Sequence, residues 1–159
     1  MKIDIRELVD ASGTFESDES VAFEDPAGSE VVAPCHVRVE YRQSPGSLQF
    51  NGTVATTLVT QCHRCLDAAR QDVAGEFEVM VRRGEHAAEE GDDVVALPLH
   101  QCEIDLEPYV HEAVVLATPM LILCREDCRG LCPSCGVNWN RETCACRPSA
   151  DSRWDALRK

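Results

Sequence analysis

The chain has 159 residues and a formal net charge of −13, from 15 Lys and Arg against 28 Asp and Glu. That length fits one domain, or one domain with a small appendage, and can bury a core; hydrophobic residues make up 44% and aromatics only 5%, so the core must rest on Val, Leu, Ile and Ala. So acidic a body repels a phosphate backbone unless its basic groups are segregated, and it steers basic partners toward itself, although simple solubility accounts for the same charge.

The opening Met1-Lys2-Ile3-Asp4 lacks the apolar run of a secretory leader. The longest apolar stretch, Ala113 to Leu123, is interrupted by Thr118 and Pro119 and falls short of a membrane span. The expectation is a soluble, cytoplasmic protein. Ten cysteines in such a compartment point to metal binding or thiol chemistry rather than to disulfides.

In chain order, residues 2–9 read as a short strand or entry segment. Residues 10–30, rich in Asp, Glu, Ser, Gly and Pro, read as a loop or weak hairpin. Residues 33–42 alternate, with Val37, Val39 and Tyr41 opposed to His36, Arg38 and Glu40, the period of a half-buried strand. Ser44-Pro45-Gly46 is a turn. Two further strands follow, at 48–60 and 73–83, and an antiparallel meander joins them. Residues 84–93 form an acidic loop. Asp105 is placed as the N-cap of a helix over 106–117, with Pro108 in its first turn and Leu106, Tyr109, Val110, Ala113, Val114 and Ala117 on one face. Pro119 ends that helix, Met120 to Cys124 reads as a short apolar strand, and the polar tail ends in a short helix around Trp154 and Leu157. The fold class is α+β: an antiparallel sheet or partial barrel, one packed helix, and a C-terminal four-cysteine module. The domains are a β-rich part over 1–123 and a cysteine-rich, zinc-binding tail over 124–159.

Eight of the cysteines form close pairs. Cys132-Pro133-Ser134-Cys135-Gly136 has the form of a zinc knuckle, and with Cys144 and Cys146 it makes C-x2-C-x8-C-x-C, a four-ligand set for a tetrahedral ion. A thioredoxin-like pair would open a helix within a βαβ unit, which Gly136-Val137-Asn138 does not suggest. Cys144 and Cys146 are too close in sequence to bridge without strain, and the spacings match no iron–sulfur pattern. Cys62 and Cys65 lie between two expected strands, and their complement is Cys124 and Cys128. Two arrangements remain open here: a second zinc shared by these four, or Cys128 serving the C-terminal module; free thiols are the plainer alternative. About two zinc ions are expected, and as each adds a net −2 through four thiolates the chain would reach about −17. Cys35 and Cys102 read as small buried hydrophobes. His63 lies inside the first knuckle as a spare donor beside four thiolates. No phosphate-binding glycine loop, nucleophile elbow or paired catalytic carboxylates occur, and a site saturated by four thiolates has no open position for water, so no enzymatic activity is expected.

At Cys62-His63-Arg64-Cys65-Leu66, at Ile104-Asp105-Leu106, and at Cys128-Arg129-Gly130-Leu131-Cys132-Pro133-Ser134-Cys135-Gly136 the chain resembles the YceD family. The run on through Asn138, Asn140, Cys144 and Cys146 to Asp151-Ser152-Arg153-Trp154 is similar to that family's cysteine-tailed branch. The resemblance implies a role in accumulation of large-subunit ribosomal RNA and ribosome assembly, with that RNA or a basic ribosomal protein as partner, and it implies no catalytic residue. Arg129, Arg141, Arg147 and Arg153 are the candidate contacts, with neutralisation of the thiolates as their alternative role. The rival functions are a general zinc-ribbon adaptor in transcription or translation, and a thiol-redox or metal-sensing protein using Cys62 and Cys65.

Overall fold

A computed structural model describes residues 1–20, 30–31, 33–84 and 94–146. Most of the expected acidic loop, the helix expected around Trp154, and Arg147 and Arg153 lie outside the described residues. Contacts divide the chain into two units, Met1–Thr60 with Arg70–Met120, and Gln61–Ala69 with the segment from Leu121 onward.

The first unit is built on a mixed, mostly antiparallel sheet. Its strands are β2 (Ser12–Glu19), β3 (Glu30–Val31), β4 (Cys35–Ser44), β5 (Ser47–Gln61), β6 (Ala68–Arg83) and β7 (Val94–Leu97), in the order β2-β4-β5-β6-β7 with β3 paired to β5. A separate two-stranded sheet joins β1 (Lys2–Asp4) to β8 (Glu103–Asp105), Ile3 facing Ile104. The alternation expected of β4 is seen in its burial, and β5 shows it too, because one face meets the core and the other water. Gly46 takes a φ of +80 at the tight turn between them, where Ser44 pairs with Ser47. The last pairing, β6 with β7, is parallel, so the meander stops at β6.

Two expectations need correction. Ser12–Glu19 is not a loop but an eight-residue strand in full antiparallel register with β4. It is an edge strand with little apolar content, held by the ladder and by cross-strand charge: Arg38 donates to Glu16 at 3.0 Å and His36 meets Asp18 at 3.0 Å. Met120 to Cys124 is not a strand. Met120 is almost wholly exposed, and the backbone of Ile122 is engaged by His63 instead.

The one helix among the described residues, α1 (Glu107–Ala117), buries Val110, Ala113 and Val114, with Leu106, at its entry, wholly buried. These pack with Val37, Val39, Phe50, Val54, Leu58, Val79 and Val81 in one cluster that also takes in Cys35. Leu106 occupies the formal cap position, yet Asp105 Oδ1 accepts the Glu107 N–H at 3.0 Å and performs the capping bond. That bond is the main reason the Asp105 carboxyl titrates below its ordinary range. Cys102 is only half-buried, whereas Cys35 is fully so. Among the described residues no helix is long and apolar enough to cross a membrane.

Candidate metal centres

Both four-cysteine groups lie in the second unit. Cys62, Cys65, Cys124 and Cys128 form one and Cys132, Cys135, Cys144 and Cys146 the other; in each, all four sulfurs lie within 4.8 Å of one another. Cys128 therefore stands with Cys62, Cys65 and Cys124, and not with the C-terminal group.

The two knuckles have one local design. Cys62 C=O accepts the Leu66 N–H at 2.9 Å, and Cys132 C=O accepts the Gly136 N–H at 2.8 Å. The N–H of each leading cysteine donates one residue further along, Cys62 to Asp67 O at 2.8 Å and Cys132 to Val137 O at 2.9 Å. The residue that closes each turn must be left-handed, and it is: Leu66 has φ 62 and Gly136 φ 74. A leucine there bears the Cβ–carbonyl crowding that glycine escapes. The turn leaves amide hydrogens pointing at sulfur, and these govern the thiols. Burial opposes ionisation of Cys62, but the amides of Arg64, Cys124 and Cys65 outweigh it and bring the thiol down to about 6. The amides of Cys135 and Ser134 bring Cys132 down to about 6 against a smaller effect of burial.

The neighbouring sulfurs move the other way. Cys65 is favoured by the Asp67 amide, yet burial and the sulfurs of Cys124, Cys62 and Cys128 drive it up to about 12. Cys146 is pushed up to about 12, first by Cys135, then by burial and Cys132. Within each group the protein's own amides favour one thiolate strongly, while neighbouring sulfurs and burial oppose a second at Cys65 and at Cys146. A dication is what such a donor set lacks.

The spacing fits the same species. Cys62 Sγ lies 3.7 Å from Cys128 Sγ, and Cys65 Sγ 3.5 Å from Cys124 Sγ. Tetrahedral zinc with Zn–S near 2.3 Å sets sulfurs about 3.8 Å apart, whereas a disulfide needs about 2.0 Å. The burial of the two groups differs. Cys62, Cys65 and Cys128 are buried and packed with Ala69 and Ile122, while Cys135 and Cys146 are exposed.

Side chains beyond the cysteines tie the centres together, and periodicity gave no sign of them. Asn140 lies between the second and third ligands of the C-terminal group, yet its Nδ2 donates to Cys128 Sγ of the other group at 3.4 Å. Its Oδ1 accepts the Arg129 N–H at 2.8 Å and Arg125 Nη2 at 2.9 Å. Asn138 Nδ2 donates to Asp67 Oδ2 at 2.9 Å, and Arg141 Nη2 to Asp67 Oδ1 at 2.8 Å. Leu131 N–H bonds Arg64 O at 3.0 Å, and Gly130, at φ 78, allows that approach: a Cβ there would stand 2.9 Å from Arg64 O. The loop over 138–141 thus belongs to both centres. Trp139 Nε1 donates to Cys144 Sγ at 3.3 Å. His63 stands outside the four-thiol group, and its Nδ1 accepts the Ile122 N–H at 2.7 Å. Of the candidate arginines, Arg129 is exposed, and Arg141 is exposed but committed to Asp67.

Fold and centres together define a β-sheet protein with a packed helix and with cysteine-bearing segments that converge in two four-thiol groups. The chain belongs to the YceD family: residues 50–159 match the family described as large ribosomal RNA subunit accumulation protein YceD. An uncharacterised protein of Mycobacterium tuberculosis is 34% identical to it over 167 residues, covering 99% of this chain and 79% of that protein. A maize chloroplast protein named large ribosomal RNA subunit accumulation protein YCED homolog 1 is 24% identical over 153 residues, 78% of this chain. Its Arabidopsis counterpart is 22% identical over 140 residues, 71% of this chain. The chain spans about half of each plant relative, 52% and 44% of their lengths. No solved structure matches it.

Proposed function

We propose that this protein is a non-catalytic factor supporting accumulation of large-subunit ribosomal RNA, held in shape by two zinc ions. Membership of the YceD family over residues 50–159 carries the functional part, together with the names of the plant relatives. The converging thiols support the zinc part. Cys62, Cys65, Cys124 and Cys128 would hold one ion, and Cys132, Cys135, Cys144 and Cys146 the other. Zinc bound there would supply a tetrahedral cross-link and neutralising charge, with its coordination filled by sulfur.

The chain's own residues do the remaining work. Amides at the two knuckles favour the thiolate of each leading cysteine, the Asn140 amide donates to Cys128, and Asp67, Asn138 and Arg141 fix the loop between the centres. Partner contact is assigned to large-subunit RNA or to a basic ribosomal protein. The net charge of −13 favours the second for the body of the chain, and Arg129 offers a local site for the first. Deleting the gene tests the role: large-subunit RNA should fall relative to small-subunit RNA. Normal RNA and subunit ratios in the deletion strain would refute it.

A further inference from the structure

An open pocket of about 580 Å³ lies in the second unit, lined by Arg64, Arg129, Trp139, Glu142, Thr143 and Cys144, with Cys128 and Cys146 also on its wall. Its composition differs from that of the acidic chain around it. Trp139 is 37% exposed, and its indole N–H is already spent on Cys144 Sγ, so the ring is fixed with part of its surface open to the pocket. Arg64 spends one guanidinium nitrogen on Cys128 O at 3.0 Å. The Arg129 side chain has no partner among the described residues, its bond to Asn140 being made by the backbone N–H.

We infer that this pocket seats one unpaired nucleotide of an RNA strand, its base stacked on Trp139 and its phosphate held by Arg129 and Arg64. The inference rests on the ribosomal-RNA reading for the kind of strand. Stacking on an aromatic face with arginine on the backbone is the general mode for single strands, and every base offers a face to stack. The charges set the orientation. The Glu142 carboxylate repels phosphate, so the phosphate lies on the arginine side. A duplex buries its base faces in its own stack and cannot use the ring. A basic peptide would meet two arginines.

The experiment uses the full chain with zinc present and a short fluorescein-labelled oligouridylate, read by anisotropy. We expect saturable binding, weakened roughly ten- to hundredfold by Trp139→Ala. Trp139→Phe keeps a stacking ring and should retain most of the affinity, and Arg129→Gln should lower the slope of log K against log salt by about 0.7. Circular dichroism checks that each variant is folded; should Trp139→Ala fail, Trp139→Phe and Arg129→Gln decide. The assignment is overturned if no binding occurs, if folded Trp139→Ala and Arg129→Gln variants bind like the parent, or if annealed duplex binds equally well. It is overturned equally if uridine monophosphate competes as well as the oligonucleotide, or if an oligolysine peptide binds the chain in a Trp139-dependent way. Absence of binding by a protein whose deletion still lowers large-subunit RNA would discard the pocket and leave the ribosomal role standing.

Discussion

Replacing Asn140 by alanine removes three hydrogen bonds at once: the donor to Cys128 Sγ, and the acceptor for the Arg129 N–H and Arg125 Nη2. Arg129 and Arg125 are exposed, so water replaces the two lost acceptor bonds at a cost of about 0.5–1.5 kcal/mol each at most. The N–H to sulfur is different, because Cys128 is 3% exposed and water does not reach it readily. Losing such an outer partner of a ligand lowers metal affinity about 10- to 100-fold, or about 1.4–2.8 kcal/mol. The loss should fall on the Cys62 group, although Asn140 stands in sequence between Cys135 and Cys144. Asn140→Asp keeps the acceptor and sets a carboxylate against a thiolate, so it should be worse than alanine for metal and better for the Arg125 contact. Chelator competition in a Trp154→Phe background separates the groups: released metal reports both, and Trp139 fluorescence reports the group containing Cys144. If Asn140→Ala leaves both affinities unchanged, or weakens only the C-terminal group, the coupling between the centres is wrong.

Four other outcomes follow from the same geometry. Leu66→Gly should raise stability by up to about 1 kcal/mol by relieving the left-handed strain, while Gly136→Ala should lower it by about 1–2 kcal/mol, both read by chemical denaturation. Gly130→Ala should cost more than Gly136→Ala, because its Cβ would also press on Arg64 O at 2.9 Å whereas the Gly136 site is open. Leu106→Ala should cost about 2–5 kcal/mol through the cavity it leaves, against no more than about 0.5 for the exposed Leu116→Ala. Asp105 has a folded pKa below its ordinary 3.8, so its contribution to stability is full above that value and is lost as pH falls through the folded pKa. Asp105→Asn should therefore lower stability in the neutral region, where that contribution is full, and flatten the acid limb of stability against pH.

What could be read from the sequence was whatever repeats at a fixed period or spacing. The alternation of Val37 and Val39 in β4 and of Val79 and Val81 in β6 is imposed by a half-buried sheet, and the inward face of α1 by a helix on a core. Close cysteine pairs marked both thiol groups, but spacing alone left Cys128 unassigned. That choice depends on where the 62–65 and 124–128 segments meet, and the hydrogen bonds from Ile122 N–H to His63 and from Arg64 to Cys128 O set the meeting. Strand β2 escaped notice because Ser12–Glu19 owes its order to a neighbour's ladder and carries almost no apolar residues. The apolar content of Met120 to Cys124 suggested a strand where no pairing partner exists among the described residues. Asn138 and Asn140 act through long-range side-chain bonds, which leave no periodic trace.

Metal stoichiometry tests the central claim most directly. Native protein purified anaerobically and analysed for metal and for protein on the same sample should hold about two zinc ions per chain, one for each four-thiol group. Cys65→Ser should lower the count to about one and also reduce amide protection around Cys124 and Cys128. A single ion in the native protein would remove the Cys62 centre from the account, and a metal-free chain that keeps its full amide protection would contradict it altogether.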